Sequence, residues 1–135
     1  MGSVEMIVLD THILIWWVAS PEKLSKKAQK SIEDHLKKDQ ILVSSISVWE
    51  IYMLVKKGRL KLTIDVNSWF EKLEQSGVVQ FVPVDNRIAA DSVNLPDYAN
   101  EDPADRMIIA TARQLGANLL TFDKKILGYA HVQSL

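Results

Sequence analysis

Residues 6–20 read MIVLDTHILIWWVAS, and Asp10 is the only charged residue of this apolar stretch apart from the weak base His12. Residues 6–9 have the length of a short buried strand. Residues 11–19 are apolar nearly all round, which is typical of a buried helix, and Pro21 ends that helix. A strand that leads directly into a helix predicts the start of an alternating α/β fold.

The rest of the chain repeats this alternation. Further strands are predicted at residues 41–43, 78–84 and 118–122, with a short fifth strand at 131–133. Helices are predicted at residues 26–38, 48–56, 66–75, 87–93 and 103–115, with caps at Ser25, Gly77 and Asp102 and with Pro103 in the first helical position. Short apolar strands between helices indicate a parallel sheet that is covered on both faces. We therefore expect one three-layer α/β/α domain over residues 1–135, with a central parallel sheet of four to five strands.

Composition narrows the functional classes. The chain has 135 residues, of which 47% are hydrophobic and 24% charged, and this is the composition of a globular domain. A net charge of −1 does not favour a general nucleic-acid binder, so an anionic substrate would need a local patch or a metal ion. The absence of cysteine excludes disulfides and thiolate sites and fits a cytoplasmic protein. No apolar run reaches the roughly 20 residues of a membrane span.

Isolated acids are the strongest functional signal. Residues 41–55 read ILVSSISVWEIYMLV, and Glu50 is the only charge in them, as Asp10 is in the first stretch. A lone carboxylate among apolar residues is costly unless it is paired or binds a cation. Asp10 and Asp123 each follow a predicted strand, and Asp105 continues the apolar stripe of its helix. We expect these four acids to converge and to bind a hard cation such as Mg²⁺ or Mn²⁺.

Each acid also has a purely structural interpretation. These are an N-cap at Asp10, a capping box of Glu50 with Ser47, an N3 partner of Asp102 at Asp105, and a turn of Asp123 with Lys124. Four independent caps would have no reason to meet at one edge of a sheet. Metal binding gives them that reason, because crowded carboxylates need a cation.

Other polar and aromatic residues are weaker candidates. Thr121 faces the same side as Asp123 and either bonds a water in the site or is an ordinary strand threonine. His12 is expected to be a surface or packed histidine, with proton transfer as the alternative. The four tryptophans are expected in the core or at an interface rather than as base-stacking residues.

Three motifs, in this order, resemble a known family. They are VLDTHILIWW at residues 8–17, SSISVWEI at 44–51 and NEDPADRMIIATARQLGANLLTFD at 100–123. Together they resemble PIN-domain ribonucleases, and within these the VapC-type toxins of bacterial and archaeal type II toxin–antitoxin modules. One departure is visible: relatives often carry a His shortly before the Asp-Pro pair, where this chain has Asn100-Glu101.

The resemblance implies a function and a site. It implies cleavage of RNA with one or two Mg²⁺ or Mn²⁺ ions and a 5′-phosphate product. The family's catalytic and metal-binding acids carry over onto Asp10, Glu50, Asp105 and Asp123, with Asp102 in support. Arg106 is expected at the mouth of the site, where it contacts substrate phosphate or instead forms a salt bridge with a neighbouring acid.

The resemblance also implies partners: a homodimer and a small VapB-like antitoxin that blocks the site. Two alternatives stay open. One is a PIN-like interaction protein without activity. The other is a receiver-like phosphoacceptor domain, although the chain lacks the acidic pair after the first strand and the acceptor Asp after a middle strand that such domains use.

Overall fold

A parallel four-stranded sheet forms the centre of the protein. The computed structural model describes residues 6–38 and 40–135. The strands are β1 (Ile7–Leu9), β2 (Ile41–Ser44), β3 (Gln80–Val82) and β4 (Asn118–Leu120), in the order β3-β2-β1-β4. All three neighbouring pairs are parallel, as predicted.

The predicted fifth strand at residues 131–133 is wrong. Near the end of the chain, a single parallel bridge joins Leu119 to Ser134. The backbone there makes two bonds with Leu119, which donates to the carbonyl of Gln133 at 2.8 Å and accepts from Leu135 N at 2.9 Å. Residues 130–132 form a turn and a bend, so only one residue reaches strand register.

Seven α-helices surround the sheet in the described part of the chain. They are α1 (Thr11–Ala19), α2 (Lys26–Leu36), α3 (Ser45–Lys56), α4 (Val66–Ser76), α5 (Asn86–Val93), α6 (Pro103–Leu115) and α7 (Lys124–Leu127). The predicted helices are confirmed, but α3 begins at Ser45 rather than at 48 and α7 was not predicted. Helix α3 starts early because Ser44 ends β2 and caps the helix at once, accepting a bond from Ile46 N at 3.2 Å.

Alternating strand residues separate the two faces of the sheet. Ile7 and Leu9 belong to one core with residues of α1, α2 and α4, whereas Val8 belongs to a second core with residues of α6. In β2 the same division places Ile41 and Val43 in the first core and Leu42 in the second. Both faces are therefore buried, and the three-layer α/β/α prediction is confirmed.

The strand order reverses at β1. The chain proceeds outward from β1 through β2 to β3, and β4 then pairs with the other side of β1. In such open sheets, ligands bind beyond the carboxyl ends of the strands at this reversal. Asp10 follows β1 directly, and Thr121 follows β4. Within residues 6–38 and 40–135, every helix falls short of the length and apolar character of a membrane span.

Candidate metal and nuclease site

Asp10 lies at the centre of the site and is held by bonds from two chain segments. The residue is 6% exposed, and its carboxylate accepts from Thr11 N at 2.8 Å through Oδ1 and from the Thr121 hydroxyl at 2.7 Å through Oδ2. Asp10 is also the N-cap of α1. The structural interpretation is thus correct for Asp10, but a cap alone does not need the second bond from the end of β4.

Thr121 connects Asp10 to Asp123. Its hydroxyl donates to Asp10 and accepts from Asp123 N at 3.0 Å, so the side chain points into the acidic site. The threonine is also buried. Asp123 in turn is the N-cap of α7 and accepts from Lys125 N at 2.9 Å. The expected turn with Lys124 is therefore the start of a short helix. These bonds bring Asp10 and Asp123 together across the ends of β1 and β4.

Asp105 extends from the first turn of α6, with Asp102 as the N-cap. Asp105 N donates to Asp102 Oδ1 at 3.1 Å, as an N3 position should. The Asp105 side chain does not complete a capping box, because Asp102 N donates instead to Asn100 Oδ1 at 3.1 Å. Asp105 Oδ2 accepts instead from the side-chain amide of Asn100 at 3.0 Å. Farther along α6, the stripe of Ile108, Ile109 and Ala112 is buried, as predicted.

Asn100 is a site residue that the sequence did not single out as functional. Its amide group donates to Asp105 and accepts from the backbone of Asp102, which fixes the two acids relative to one another. The available signal was the departure at this position, where relatives often have a His nearby. A carboxamide can replace a histidine as a donor to a carboxylate, although it cannot carry a proton in the same way.

Glu50 lies in the middle of α3, half buried. The proposed capping box with Ser47 is wrong, because the helix begins at Ser45 and Ser47 is already inside it. The Ser47 hydroxyl is buried and hydrogen-bonds that of Thr11 at 2.8 Å, which ties α3 to α1 beside Asp10. Glu50 is thus not a cap, and packing brings it toward the other acids.

The charges of these acids repel one another. Burial raises the pKa of Asp10 even though the bonds from Thr121 and Thr11 lower it. Burial, and to a lesser extent the charge of Asp10, raise the pKa of Glu50. Burial, with the charges of Asp102 and Asp10, raises the pKa of Asp105 from 3.8 to about 7. The site is therefore short of positive charge at neutral pH.

Arg106 forms no ion pair with these acids. Its guanidinium donates to four backbone carbonyls, those of Ser92 at 2.7 Å, Val93 at 3.1 Å, Tyr98 at 3.0 Å and Asn100 at 2.8 Å. The expected salt bridge with a neighbouring acid is wrong: among the described residues, the ion pair that forms is Arg113 with Asp91 at 2.9 Å. Phosphate contact stays a prediction, with only one of the five N–H donors of Arg106 left for it.

The donor chemistry fits a hard divalent ion. All four predicted ligands present carboxylate oxygens, which Mg²⁺ and Mn²⁺ prefer. In the described part of the chain, however, no three such side chains stand close enough to form a ready coordination cluster. Asp10 and Asp105 are held by Thr121 and Asn100 instead. The suitability of these residues for a divalent ion therefore rests on their carboxylate oxygens and on the crowding of negative charge.

The sequence and the fold have counterparts among known proteins. Residues 7–132 match the PIN domain family. The chain belongs to the PIN-domain family. It is 37% identical over 125 residues to Ribonuclease VapC22 of Mycobacterium tuberculosis, which covers 93% of this chain and 92% of the relative, so this PIN domain is of the VapC type.

Solved structures share the fold of this PIN domain. The structure of FitAcB from Neisseria gonorrhoeae is 25% identical, covers 96% of each chain and gives a TM-score of 0.71. VapBC2 from Rickettsia felis, bound to a DNA fragment from their promoter, also gives 0.71, with 16% identity and coverage of 96% of this chain and 97% of that one. The second likeness concerns the fold alone.

Proposed function

We propose that this PIN domain is a metal-dependent endoribonuclease and the toxin of a toxin–antitoxin pair. The observation that carries the proposal is the crowding of one buried and several half-buried carboxylates at the switch point of the sheet, where the pKa of Asp105 rises to about 7. The name of its relative, Ribonuclease VapC22, supports RNA as the substrate. The receiver-like alternative is wrong, because the chain belongs to the PIN-domain family.

Asp10, Glu50, Asp105 and Asp123 would hold one or two Mg²⁺ or Mn²⁺ ions. A bound divalent ion supplies activation of water and stabilisation of the leaving oxygen in phosphodiester hydrolysis. The chain's own contribution is orientation. Thr121 fixes Asp10, Asn100 fixes Asp105, and Arg106 fixes the loop from which Asn100 extends. Water attack would break the bond between phosphorus and the 3′ oxygen and leave a 5′-phosphate.

The proposal includes partners and context. A solved structure of the same fold, a toxin–antitoxin complex from Klebsiella pneumoniae with 21% identity and a TM-score of 0.65, supports a VapB-like antitoxin for this chain. A homodimer, a cytoplasmic location and a single domain over residues 1–135 also stay predictions. Trp49 is 56% exposed on α3, which supports an interaction surface there.

The decisive experiment measures RNA cleavage with Mg²⁺, with Mn²⁺ and in EDTA, together with Mn²⁺ binding by calorimetry. Asp10→Asn keeps the side-chain shape and removes the charge, so we expect both cleavage and Mn²⁺ affinity to fall. Glu71→Gln, an equal change of charge on the exposed side of α4, is the matched control. Unchanged cleavage in Asp10→Asn would contradict the catalytic assignment. No cleavage by the wild type would favour the PIN-like protein without activity.

A further inference from the structure

A cleft of about 240 Å³ opens beside the acidic site. It lies between α1, the segment from Lys23 into α2, and the residues that follow β4. Its floor is formed by buried apolar side chains, including Ile13, Leu24 and Leu120. Thr121 lines its wall and donates to Asp10 at 2.7 Å, so the cleft and the acidic site share one residue.

Two aromatic rings form one side of the cleft. Trp16 and Phe122 stack with ring centroids 4.3 Å apart and planes inclined by 9°. Phe122 is 45% exposed although it follows a buried strand, so it does not serve the core. The ring of His12 meets Phe122 edge-on at 6.2 Å. Trp16 itself is partly buried and packs against the first core, so Phe122 is the exposed ring of the pair.

The opposite side of the cleft is basic. Lys23 and Lys27 line it, and both are exposed. None of the described side chains that line the cleft is acidic. The turn that carries Lys23 is fixed by Gln29, whose amide donates to the carbonyls of Pro21 at 3.1 Å and Leu24 at 3.2 Å. These bonds anchor the turn that carries Lys23 to helix α2, which carries Lys27.

We infer that this cleft binds one unpaired nucleobase of an RNA strand, next to the phosphodiester that lies at the acids. This rests on the proposed function. Proteins that bind single strands combine aromatic faces for the bases with cations for the backbone, and the cleft has both. Its volume is below the roughly 300–1,000 Å³ of pockets for larger ligands, which suits one base rather than a whole nucleotide.

The shared residue favours RNA over a protein segment. Thr121 belongs to the acidic site and to the cleft wall, so a strand with its phosphate at Asp10 has the cleft directly beside it. The base would stack on the exposed ring of Phe122, and Lys23 and Lys27 would face the flanking phosphate.

The test uses a labelled oligouridylate of about 12 nucleotides, within the length of one single-strand site. Binding is measured by fluorescence anisotropy in EDTA at low salt. Phe122→Leu keeps apolar bulk and removes the aromatic face, so we expect binding to weaken about fivefold to a hundredfold. Phe122→Trp should restore binding, and Val93→Ala, at an exposed apolar residue outside the cleft, is the control that should not change it.

Abasic substitution identifies the contact. Each nucleotide of the oligomer is replaced in turn by an abasic one, and each version is tested with the wild type and with Phe122→Leu. At one position the abasic change should weaken binding to the wild type and have no further effect on the variant. Lys27→Gln should lower the slope of affinity against salt by about 0.7, the value for one phosphate contact to a single strand.

The outcomes separate this inference from the proposed function. If the wild type cleaves RNA but no abasic position couples to Phe122, the inference is overturned and the nuclease stands. If the effect of one abasic position depends on Phe122 but no metal ion supports RNA cleavage, the assignment of the cleft stands and the proposed nuclease function is wrong. If Phe122→Leu weakens only the binding of the protein encoded by the neighbouring gene, the cleft is a protein interface and the inference is wrong.

Discussion

Replacing Asp105 by a neutral carboxamide should stabilise the metal-free protein at alkaline pH. In the folded state the pKa of Asp105 lies at about 7, whereas the ordinary value is 3.8. The cause is burial, followed by the charges of Asp102 and Asp10. Ionised Asp105 therefore lowers the free energy of unfolding. Asp105→Asn keeps the shape of the side chain and removes the charge, so it should raise the free energy of unfolding.

The size of the effect follows from this pKa. A rise from 3.8 to about 7 corresponds to at most about 4 kcal/mol of destabilisation by the charged form. Solvent screens the partly exposed carboxylate and reduces this to roughly 1–2 kcal/mol. The Asp105→Asn variant would lose part of the charge-assisted bond from Asn100, which costs up to about 1 kcal/mol. We expect a net gain of about 1 kcal/mol at pH 8.

The pH dependence has a definite sign. Below about pH 4 the carboxyl is protonated in the folded and unfolded states, and it contributes no penalty. Between pH 4 and 7 the folded state binds more protons than the unfolded state, so wild-type stability falls as pH rises. Above pH 7 the penalty is constant. The Asp105→Asn variant should lack this fall between pH 4 and 7.

Thermal and urea unfolding in EDTA at pH 4 and pH 8 measure the effect. For a chain of this length, 1 kcal/mol corresponds to about 3–5 °C in Tm. Glu71→Gln should stay within about 0.5 kcal/mol of the wild type at both pH values. Adding Mn²⁺ in excess should reverse the order, because the wild type gains about 2.7 kcal/mol at a hundred times its Kd while the variant binds less. A variant that is less stable than the wild type in EDTA at pH 8 would refute the reasoning and favour a helix-stabilising carboxylate.

Further predictions concern the supporting residues and association. Thr121→Val removes the hydroxyl that donates to buried Asp10, and urea unfolding should show a loss of about 1–3 kcal/mol, with Thr121→Ser close to the wild type. Arg106→Gln leaves carbonyls without their donor, and hydrogen exchange in residues 93–100 should accelerate by about tenfold or more, whereas Lys72→Gln on α4 should not change it. Light scattering at tens of micromolar should give a homodimer, and a monomer there would contradict that proposal. The protein encoded by the neighbouring gene should suppress RNA cleavage when added in excess, and failure to do so would contradict the toxin assignment.

Local sequence signals account for most of the secondary structure. The apolar run before Asp10 and the apolar helix after it set β1 and α1, and Pro21 stops the helix, because these signals act within a few residues. Helix α6 was predicted from its first to its last residue, since Asp102, Pro103 and Gly116 mark its ends through local backbone geometry. The likeness of three motifs to one family then indicated where the acids lie.

Predictions from local sequence patterns were wrong where the boundary of a helix or strand depended on tertiary contacts. The Ser-x-x-Glu spacing of Ser47 and Glu50 matched a capping box, yet β2 leads straight into α3 and puts both residues inside the helix. Residues 131–133 had the composition of a strand, but a turn leaves only Ser134 in register with the sheet. The extent of β2 up to Ser44 depends on its pairing with β1 and β3, and Ser134 pairs with Leu119, so in both cases the deciding partners lie outside a short sequence window.

The amino-acid sequence alone was enough to identify the candidate chemistry: two isolated carboxylates in apolar stretches, Asp10 and Glu50, and two more at the start of a helix and the end of a strand, Asp105 and Asp123, on a fold that brings strand ends together. How these acids are held became visible only once the chain was folded. The bond from Thr121 to Asp10 joins residues 111 positions apart, and Arg106 binds backbone carbonyls rather than an acid. This difference arises because a side chain's charge and polarity are local properties, whereas its hydrogen-bond partners and its desolvation depend on which segments the fold packs around it.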